Sequence, residues 1–302
     1  MRNKTTVSLV LGAGGARGLA HIGVIEWLTE NGYEIRSIAG SSMGALVGGI
    51  YAAGKLDIYK HWVTALDKGD VLRLLDPNLG LSGLFKGMRI IETLRGLLGE
   101  RDIEDLPVSF TAVATDVEEQ KEVWLSRGPL FDAIRASIAV PLVFTPHKVN
   151  GRRLLDGSLV NPLPIAPTLR DLTDLTIAVN LSGPPQAGSP EPPPPPPETR
   201  PAAAGNNYRA RIQAFIDDLQ ERFLPEEGEP DWSYFDIIAL SMETMQNTIA
   251  RLKLAAYTPD VTITIARDAA RLFEFYRAQE LIDLGRAKAA ALLGTTGSGR
   301  VV

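Results

Sequence analysis

Residues 40–44 are Gly40-Ser41-Ser42-Met43-Gly44, and they separate an apolar run from a segment rich in small residues. The run Arg36 to Ala39 predicts a strand, and Ala45 to Ala53 predicts a helix that ends at Gly54. This is the nucleophile-elbow pattern G-x-S-x-G, in which a serine occupies a tight turn between a strand and a helix. Because the glycines leave room for the turn, the pattern predicts that the Ser42 hydroxyl projects into an open site.

A second glycine turn, Gly14-Gly15-Ala16-Arg17-Gly18, lies between a predicted strand, Thr6 to Leu11, and a predicted helix, Leu19 to Glu30. Backbone N–H groups at the start of a helix lack intrahelical partners and attract negative charge. The turn therefore predicts a site for a nucleotide phosphate or for the oxyanion formed when a serine attacks a carbonyl. Arg17 stands where the dinucleotide fingerprint requires glycine, and no P-loop sequence follows, so the oxyanion is favoured.

A serine nucleophile needs a proton acceptor, and histidine is the usual one. The chain has three histidines, His21, His61 and His147. His21 shares a predicted helical face with apolar residues, which is typical of a core histidine, and no strong motif surrounds the other two. Only two predicted strands precede Ser42, which argues against the α/β-hydrolase fold and its Ser, Asp, His order.

The carboxylate candidate is Asp156, which follows Leu154-Leu155 and precedes Gly157-Ser158. Asn150-Gly151 predicts a two-residue hairpin, whose second strand, Arg152 to Leu155, leads directly to this aspartate. Asp-Gly pairs also stabilise turns, so the residues by themselves leave Asp156 either a general base or a turn cap.

Four motifs in this order resemble the patatin-like phospholipase family, in particular its bacterial branch and the catalytic domain of neuropathy target esterase. They are the two glycine motifs, Ala136-Ser137-Ile138-Ala139-Val140-Pro141, and Asp156-Gly157-Ser158, and the resemblance covers residues 5–182. It implies an α/β fold, a three-layer sandwich with a central, mostly parallel sheet flanked by helices.

The resemblance also implies a serine lipid acyl hydrolase of the phospholipase A or lysophospholipase type, acting on a phospholipid, a lysophospholipid or another fatty-acyl ester. Ser42 would be the nucleophile and Asp156 the general base of a Ser-Asp dyad that forms an acyl-enzyme. The amides of Gly14, Gly15 and Ala16 would form the oxyanion hole. The supporting residues would be Arg17, Gly18, Gly40, Gly44, Gly157, Ser137 and Pro141.

One residue departs from the family pattern, because Ser158 stands where Gly or Ala is common. A carboxylesterase or acyltransferase with the same dyad stays an alternative, as does a non-catalytic nucleotide-binding module. The mechanism implies no cofactor and no metal.

Composition limits the partners and the compartment. The 302 residues are 45% apolar, the net charge is −5 with a pI near 5.4, and cysteine is absent. We expect no nucleic-acid partner and no disulfide. No apolar run reaches the length of about 18 residues that spans a membrane, and cleavage of the weakly signal-like N-terminus would remove the first strand. We therefore expect a cytoplasmic protein, with peripheral contact to a membrane surface as an alternative.

The domain organisation follows from composition. We predict a catalytic core over 1–182, a proline-rich disordered insertion over 183–207, helices and a strand completing the domain over 208–294, and a flexible tail over 295–302. The predicted elements are the helices Arg209 to Phe223, Phe235 to Ala256 and Leu272 to Leu293 and the strand Val261 to Ala266. The first helix carries an apolar stripe that fits a homodimer contact, a membrane patch or core packing: Ile212, Phe215, Ile216, Leu219 and Phe223.

Two features between the elbow and Asp156 complete the predictions. Leu79 to Leu98 is rich in apolar residues and predicts a core-packed helix, with an acyl-binding wall or a mobile lid as the functional alternative. Val108 to Thr115 predicts a strand, after which Asp116 is expected to cap a turn.

Overall fold

We describe the fold from a computed structural model, which covers residues 4–76, 84–185 and 234–294. The chain divides into two compact units, one of residues 1–186 with 246–302 and one of residues 187–245. In the second unit only residues 234–245 are described, and they form the first half of a helix that ends at Ala256. The proline-rich segment from residue 186 onward, the apolar stripe and the tail lie outside the described residues.

An eight-stranded mixed sheet forms the centre of the first unit. Its strands are β1 (Thr5–Leu11), β2 (Tyr33–Ser41), β3 (Ser109–Asp116), β4 (Lys121–Leu125), β5 (His147–Val149), β6 (Arg152–Asp156), β7 (Leu175–Gly183) and β8 (Val261–Ala266). Their order is β5-β6-β3-β2-β1-β7-β8, with β4 paired to β3. The contacts β1–β2, β2–β3, β1–β7 and β7–β8 are parallel.

Eight helices of the described residues surround this sheet. They are α1 (Ala20–Glu30), α2 (Met43–Ala52), α3 (Leu56–Thr64), α4 (Lys68–Leu74), α5 (Met88–Leu98), α6 (Leu130–Ser137), α7 (Tyr234–Ala256) and α8 (Ala278–Leu293). Every residue of α2 except Tyr51 is buried, which matches its composition of small and apolar residues. The predicted α/β class, with a mostly parallel sheet flanked by helices, is confirmed.

The parallel strands are buried because helices cover them. β1 and β2 both end in five consecutive buried residues. Strands that are buried on both faces need near-continuous apolar runs, whereas half-exposed strands alternate apolar and polar residues. Because β1 and β2 are parallel neighbours, both of the turns that follow them, the glycine turn and the elbow, lie at the same edge of the sheet.

Two predicted helices begin later than the sequence pattern indicates. α5 begins at Met88, because Gly87 adopts a left-handed conformation with φ 69° and the Asp76 carboxylate accepts hydrogen bonds from the amides of Gly87 and Met88. Residues 79–83 of the predicted segment lie outside the described part of the chain. α8 begins at Ala278, after a short 3-10 turn at Phe275–Arg277.

β4 was not predicted from the sequence. It forms a hairpin with β3, and the turn between them is closed by the Asp116 carboxylate, which accepts hydrogen bonds from the amides of Glu118 and Glu119. The prediction that Asp116 caps a turn is confirmed. Among the described helices, none is long and apolar enough to cross a membrane.

Candidate active site

The strands β2 and β6 meet end to end along one side of β3. Ser41 at the end of β2 lies opposite Val113 in parallel register, and Asp156 at the end of β6 lies opposite Ala114 in antiparallel register. β4 pairs with Ala112 to Asp116, so it occupies the other side of β3. Since β2 and β6 run toward each other, their ends bring together Ser42 and Asp156, which are 114 positions apart in the chain.

Ser42 forms the elbow that the sequence pattern predicts. Its backbone has φ 54° and ψ −124°, an unusual conformation for a residue with a side chain, and it precedes the first residue of α2. The turn depends on close backbone approach, because a Cβ atom at Gly44 would lie 2.0 Å from the Leu11 carbonyl oxygen. Gly40 is also packed closely, because a Cβ atom there would lie 2.4 Å from the Gly44 carbonyl oxygen. The buried Ser42 hydroxyl donates a hydrogen bond of 2.7 Å to Oδ2 of Asp156.

Ser137 connects the elbow to β3. Its hydroxyl accepts a hydrogen bond of 3.0 Å from the Ser42 amide and donates one of 2.6 Å to the Val113 carbonyl. The Ser137 hydroxyl therefore links the Ser42 amide to the Val113 carbonyl, next to the last residue pair of the β2–β3 ladder, Ser41 and Val113. The same motif supplies the Ala139 carbonyl, which accepts the Asp156 amide at 3.0 Å. Pro141, half-buried, follows these contacts in the chain.

Asp156 is fully buried and tightly held. Oδ1 accepts a hydrogen bond of 2.8 Å from the Ser158 amide, while Oδ2 accepts the Ser42 hydroxyl. Burial raises the pKa of Asp156 to about 6, although the hydrogen bonds from Ser158 and Ser42 oppose that shift. The side chain is therefore still mainly a carboxylate at neutral pH, and it is a stronger base than an exposed aspartate. Gly157 fits against the Val113 carbonyl, where no side chain has room.

The glycine turn contacts the elbow directly, since a Cβ atom at Gly18 would lie 2.3 Å from Cβ of Met43. Gly15 adopts φ 54° at the start of the 3-10 turn Gly15–Leu19. Arg17 holds the turn, because its Nε donates to the Gly14 carbonyl at 3.2 Å and its Nη1 donates to the Arg267 carbonyl.

The three amides expected to form an oxyanion hole differ. Within the described residues, the amides of Gly14 and Gly15 have no hydrogen-bond partner. The Ala16 amide instead donates to the Leu272 carbonyl at 3.0 Å, so it is not available to an oxyanion in this arrangement, and its inclusion in the predicted set is corrected. Met43, which the sequence analysis did not name, occupies the first position of α2, where an amide has no intrahelical partner. The elbow pattern signals this amide as a further candidate donor.

The three histidines contact residues other than Ser42 and Asp156. His21 is fully buried, its Nε2 hydrogen-bonds to the Gly12 carbonyl at 2.8 Å, and burial lowers its pKa to about 4, which confirms the prediction of a core histidine. His61 bonds to the Asp57 carbonyl of its own helix, and His147 lies 3.5 Å from Asp132. In the described part of the chain no histidine hydrogen-bonds to Ser42 or Asp156.

An apolar cavity opens beside Ser42. α5 is packed into the core as predicted, since Ile91 and Leu94 are buried, and Ile90 of the same helix lines the cavity. The functional alternative, an acyl-binding wall or a mobile lid, stays a prediction. The lining residues are Gly15, Ser42, Met43, Leu46, Tyr59, Trp62, Val63, Leu66, Val71, Leu74, Leu75, Ile90, Ile138, Val140, Val143, Phe144, Leu272, Phe273 and Phe275. Nearly all of them are aliphatic or aromatic, so the cavity suits a hydrocarbon chain rather than a charged group.

Comparison with known proteins adds independent evidence. The family model described as patatin-like phospholipase matches residues 9–169. An uncharacterised NTE family protein of Mycobacterium tuberculosis is 40% identical over 95% of this chain and 91% of its own length. Neuropathy target esterase sws of Drosophila persimilis is 31% identical over 53% of this chain and 12% of its own length.

The solved structure of VipD from Legionella pneumophila is 13% identical to this chain, and the match covers 94% of this chain and 67% of that one. Its TM-score of 0.38 is too low for the likeness to bear on the site.

The family match spans more than half of the chain, from β1 to the residues beyond Asp156. Patatin-like phospholipases are lipid hydrolases, so the chain is an enzyme of the esterase and phospholipase class whose substrates are lipid esters. The match and the relatives together show that this chain belongs to the patatin-like phospholipase family.

Proposed function

We propose that the chain is a serine acyl hydrolase of the phospholipase A or lysophospholipase type, with Ser42 as nucleophile and Asp156 as general base. The observation that carries the proposal is the 2.7 Å hydrogen bond from the Ser42 hydroxyl to a fully buried carboxylate, at the edge of an apolar cavity. A serine next to a base is the arrangement that nucleophilic catalysis requires.

The mechanism begins when Asp156 accepts the Ser42 proton as Oγ attacks the ester carbonyl. The amides of Gly14 and Gly15, which have no partner among the described residues, donate with the Met43 amide to the oxyanion that forms. Asp156 then returns the proton to the departing alcohol or lysolipid, which leaves an acyl group on Ser42. Asp156 then removes a proton from water as its oxygen attacks the acyl carbonyl. The bond from that carbon to Ser42 Oγ breaks, Asp156 passes the proton to Oγ, and the fatty acid is released.

The raised pKa of Asp156 suits this cycle. An ordinary aspartate, with a pKa near 3.9, is a weak base toward a serine hydroxyl. With a pKa of about 6, Asp156 is a better base and is still ionised at neutral pH. We expect activity to rise with pH through about 6, because only the ionised carboxylate accepts the proton.

A covalent probe tests the nucleophile. A fluorophosphonate should label the wild type at Ser42, and Ser42→Ala should abolish both labelling and hydrolysis of a panel of phospholipids and lysophospholipids, with products identified by mass spectrometry. Ser109→Ala, at an exposed serine that begins β3, is the matched control and should behave as the wild type. Labelling that persists in Ser42→Ala contradicts the proposal.

The same panel defines the substrate. Release of fatty acid from diacyl or monoacyl phospholipids supports the lipase type, whereas turnover of short soluble esters alone indicates a general carboxylesterase. Acyl transfer to an added alcohol in preference to water indicates an acyltransferase. Phospholipids lie in membranes, so the proposal includes contact with a lipid surface, which co-sedimentation with phosphatidylcholine vesicles tests.

A further inference from the structure

Leu272 lies beside the glycine turn, at the exposed end of the cavity lining. It is 44% exposed, whereas every other described residue that lines the cavity is buried or half-buried. A Cβ atom at Gly15 would lie 2.5 Å from Cδ1 of Leu272 and 2.8 Å from its carbonyl oxygen. Leu272 therefore stands where the cavity opens to solvent, in contact with a candidate donor of the oxyanion hole.

Two backbone carbonyls hold the segment that carries Leu272 against the glycine turn. The Leu272 carbonyl accepts a hydrogen bond of 3.0 Å from the Ala16 amide, and the Arg267 carbonyl accepts one from Nη1 of Arg17. Neither hydrogen bond involves the Leu272 side chain. The segment therefore gives this side chain a defined place, and a substitution of the side chain leaves both acceptors in the backbone.

The two ends of the cavity suit the two parts of a lipid ester. Away from Leu272 the lining includes Leu46, Tyr59 and Val63, each of which is 3% exposed or less. A hydrocarbon chain is stabilised among such residues, whereas a charged headgroup would lose its water there without a partner in return. Since the acyl chain and the alcohol part lie on opposite sides of the ester carbonyl, an acyl chain in the buried end directs the alcohol part toward solvent, past Leu272.

We propose that the Leu272 side chain is a specificity-determining group that limits branching in the alcohol part of the ester. A primary alcohol, such as the one at the sn-1 position of a glycerophospholipid, places a slender CH₂ group next to the ester oxygen. A secondary alcohol, such as the one at sn-2, carries two carbon branches there, and one of them meets the Leu272 side chain. The inference rests on the proposed function, because it needs an ester at Ser42 whose carbonyl oxygen lies at the glycine turn.

Two positional isomers of one phospholipid test the proposal. In 1-palmitoyl-2-oleoyl- and 1-oleoyl-2-palmitoyl-phosphatidylcholine the same two chains exchange places, so initial rates of fatty-acid release from both isomers separate the effect of position from that of the chain. We expect the wild type to release the sn-1 chain at least about tenfold faster, because one extra methylene against an apolar wall changes kcat/KM by about 10- to 200-fold. Leu272→Ala should lower this preference by about tenfold, and Leu272→Trp should raise it.

Leu292→Ala is the matched control, because Leu292 of α8 is also 44% exposed and lies outside the cavity lining. It should keep the wild-type preference. Ethyl octanoate and 3-pentyl octanoate give the same comparison without a lipid surface, and the ratio of their kcat/KM values should fall in Leu272→Ala. The ratio for ethyl octanoate and ethyl butanoate should stay unchanged, since the acyl chain lies at the other end of the cavity. A purely structural role of Leu272 would lower the turnover of all three esters alike.

The inference is overturned if Leu272→Ala and Leu272→Trp both keep the wild-type preference for the primary ester. It is also overturned if Leu272→Ala changes the octanoate-to-butanoate ratio instead, which would place Leu272 against the acyl chain. Failure of the proposed function gives a different result, because Ser42→Ala would then still hydrolyse these esters, or the folded wild type would hydrolyse none of them. Loss of all hydrolysis in Ser42→Ala, with an unmoved preference in both Leu272 variants, keeps Ser42 as the nucleophile and rejects the role of Leu272 alone.

Discussion

At the scale of single residues, Asp156 carries a conflict between chemistry and stability. A carboxylate that is fully buried is costly, and among the described residues hydrogen bonds from the Ser42 hydroxyl and the Ser158 amide offset the loss of water. This cost raises the pKa of Asp156, and the raised pKa fits the general-base role that we propose for it. Asp156 therefore suits the proposed role of general base because its charged form is unfavourable in the folded protein.

This conflict predicts opposite effects of Asp156→Asn on activity and stability. Folding raises the pKa of Asp156 from 3.8 to about 6, so above pH 6 the folded protein carries a penalty of about 3 kcal/mol that vanishes as the pH falls below 4. We expect Asp156→Asn to lower kcat/KM by about 10²- to 10⁴-fold while raising the free energy of unfolding at pH 8 by up to that penalty.

Urea unfolding at pH 8 and at pH 4 measures the second effect. The gain in unfolding free energy should shrink toward zero at pH 4, where the wild-type carboxyl is neutral. A gain of equal size at both pH values would show that the charge is not its source.

At the scale of elements, α1 and α8 pack by backbone contact. A Cβ atom at Gly23 of α1 would lie 1.9 Å from the Ile282 carbonyl oxygen, and one at Gly285 of α8 would lie 2.0 Å from the Ala20 carbonyl oxygen. Each helix thus presents a glycine to the backbone of the other. This contact fixes the distance between two helices that belong to opposite ends of the chain.

We expect Gly23→Ala to destabilise the protein by about 3 kcal/mol or more, because the helices have to separate to admit a methyl group. Gly96→Ala on α5 is the matched control: no atom lies within 4 Å of its Cβ position, so the better helix propensity of alanine should stabilise by about 0.5–1 kcal/mol. Chemical denaturation measures both. Equal effects of the two variants would contradict close packing of α1 on α8.

The wall that α5 contributes to the cavity predicts a change in substrate range. We expect Ile90→Trp to reduce kcat/KM for long-chain esters by about tenfold more than for butyryl esters, because the larger ring occupies space at the apolar lining. Leu97→Trp, at an exposed position of the same helix, should leave the ratio unchanged. A comparison of ester series from four to sixteen carbons would detect the effect.

At the scale of the whole molecule, acid stability depends on a histidine outside the candidate dyad. Burial lowers the pKa of His21 from 6.5 to about 4, so the unfolded chain binds a proton that the folded protein does not. Above pH 6.5 His21 is neutral in both the folded and the unfolded protein, so its burial does not lower the free energy of unfolding. As the pH falls toward 4, protonation of the unfolded chain lowers that free energy by up to about 3 kcal/mol.

We expect His21→Gln, which keeps a donor for the Gly12 carbonyl, to be less stable than the wild type at pH 8 and to close that gap as the pH falls to 4. Urea midpoints across this range measure the gap. A constant difference between the two proteins would mean that His21 is not the group that titrates.

Much of the fold and several parts of the site could be predicted from the sequence, because they follow from local patterns. The runs that became β1, β2 and β8 are apolar and β-branched, and Asn150-Gly151 closes the β5–β6 hairpin in the left-handed conformation that such turns need. β4 escaped prediction because Lys121 to Leu125 is only five residues long and shows no marked alternation of apolar and polar residues. The late start of α5 depends on the Asp76 carboxylate, which lies outside the helix and binds the amides of Gly87 and Met88.

The sequence by itself determined the two glycine turns and the hairpin turn, and it identified Ser42 and Asp156 as candidate site residues. It also set the order in which the apolar runs of the parallel strands follow one another along the chain. These features depend on residues that are only a few positions apart. Only the tertiary structure decided that β2 and β6 meet end to end on β3, that the Leu272 carbonyl occupies the Ala16 amide, and that Gln246 reaches Ser158. Those contacts join segments far apart in the chain, and their geometry arises from packing and register, which no local pattern encodes.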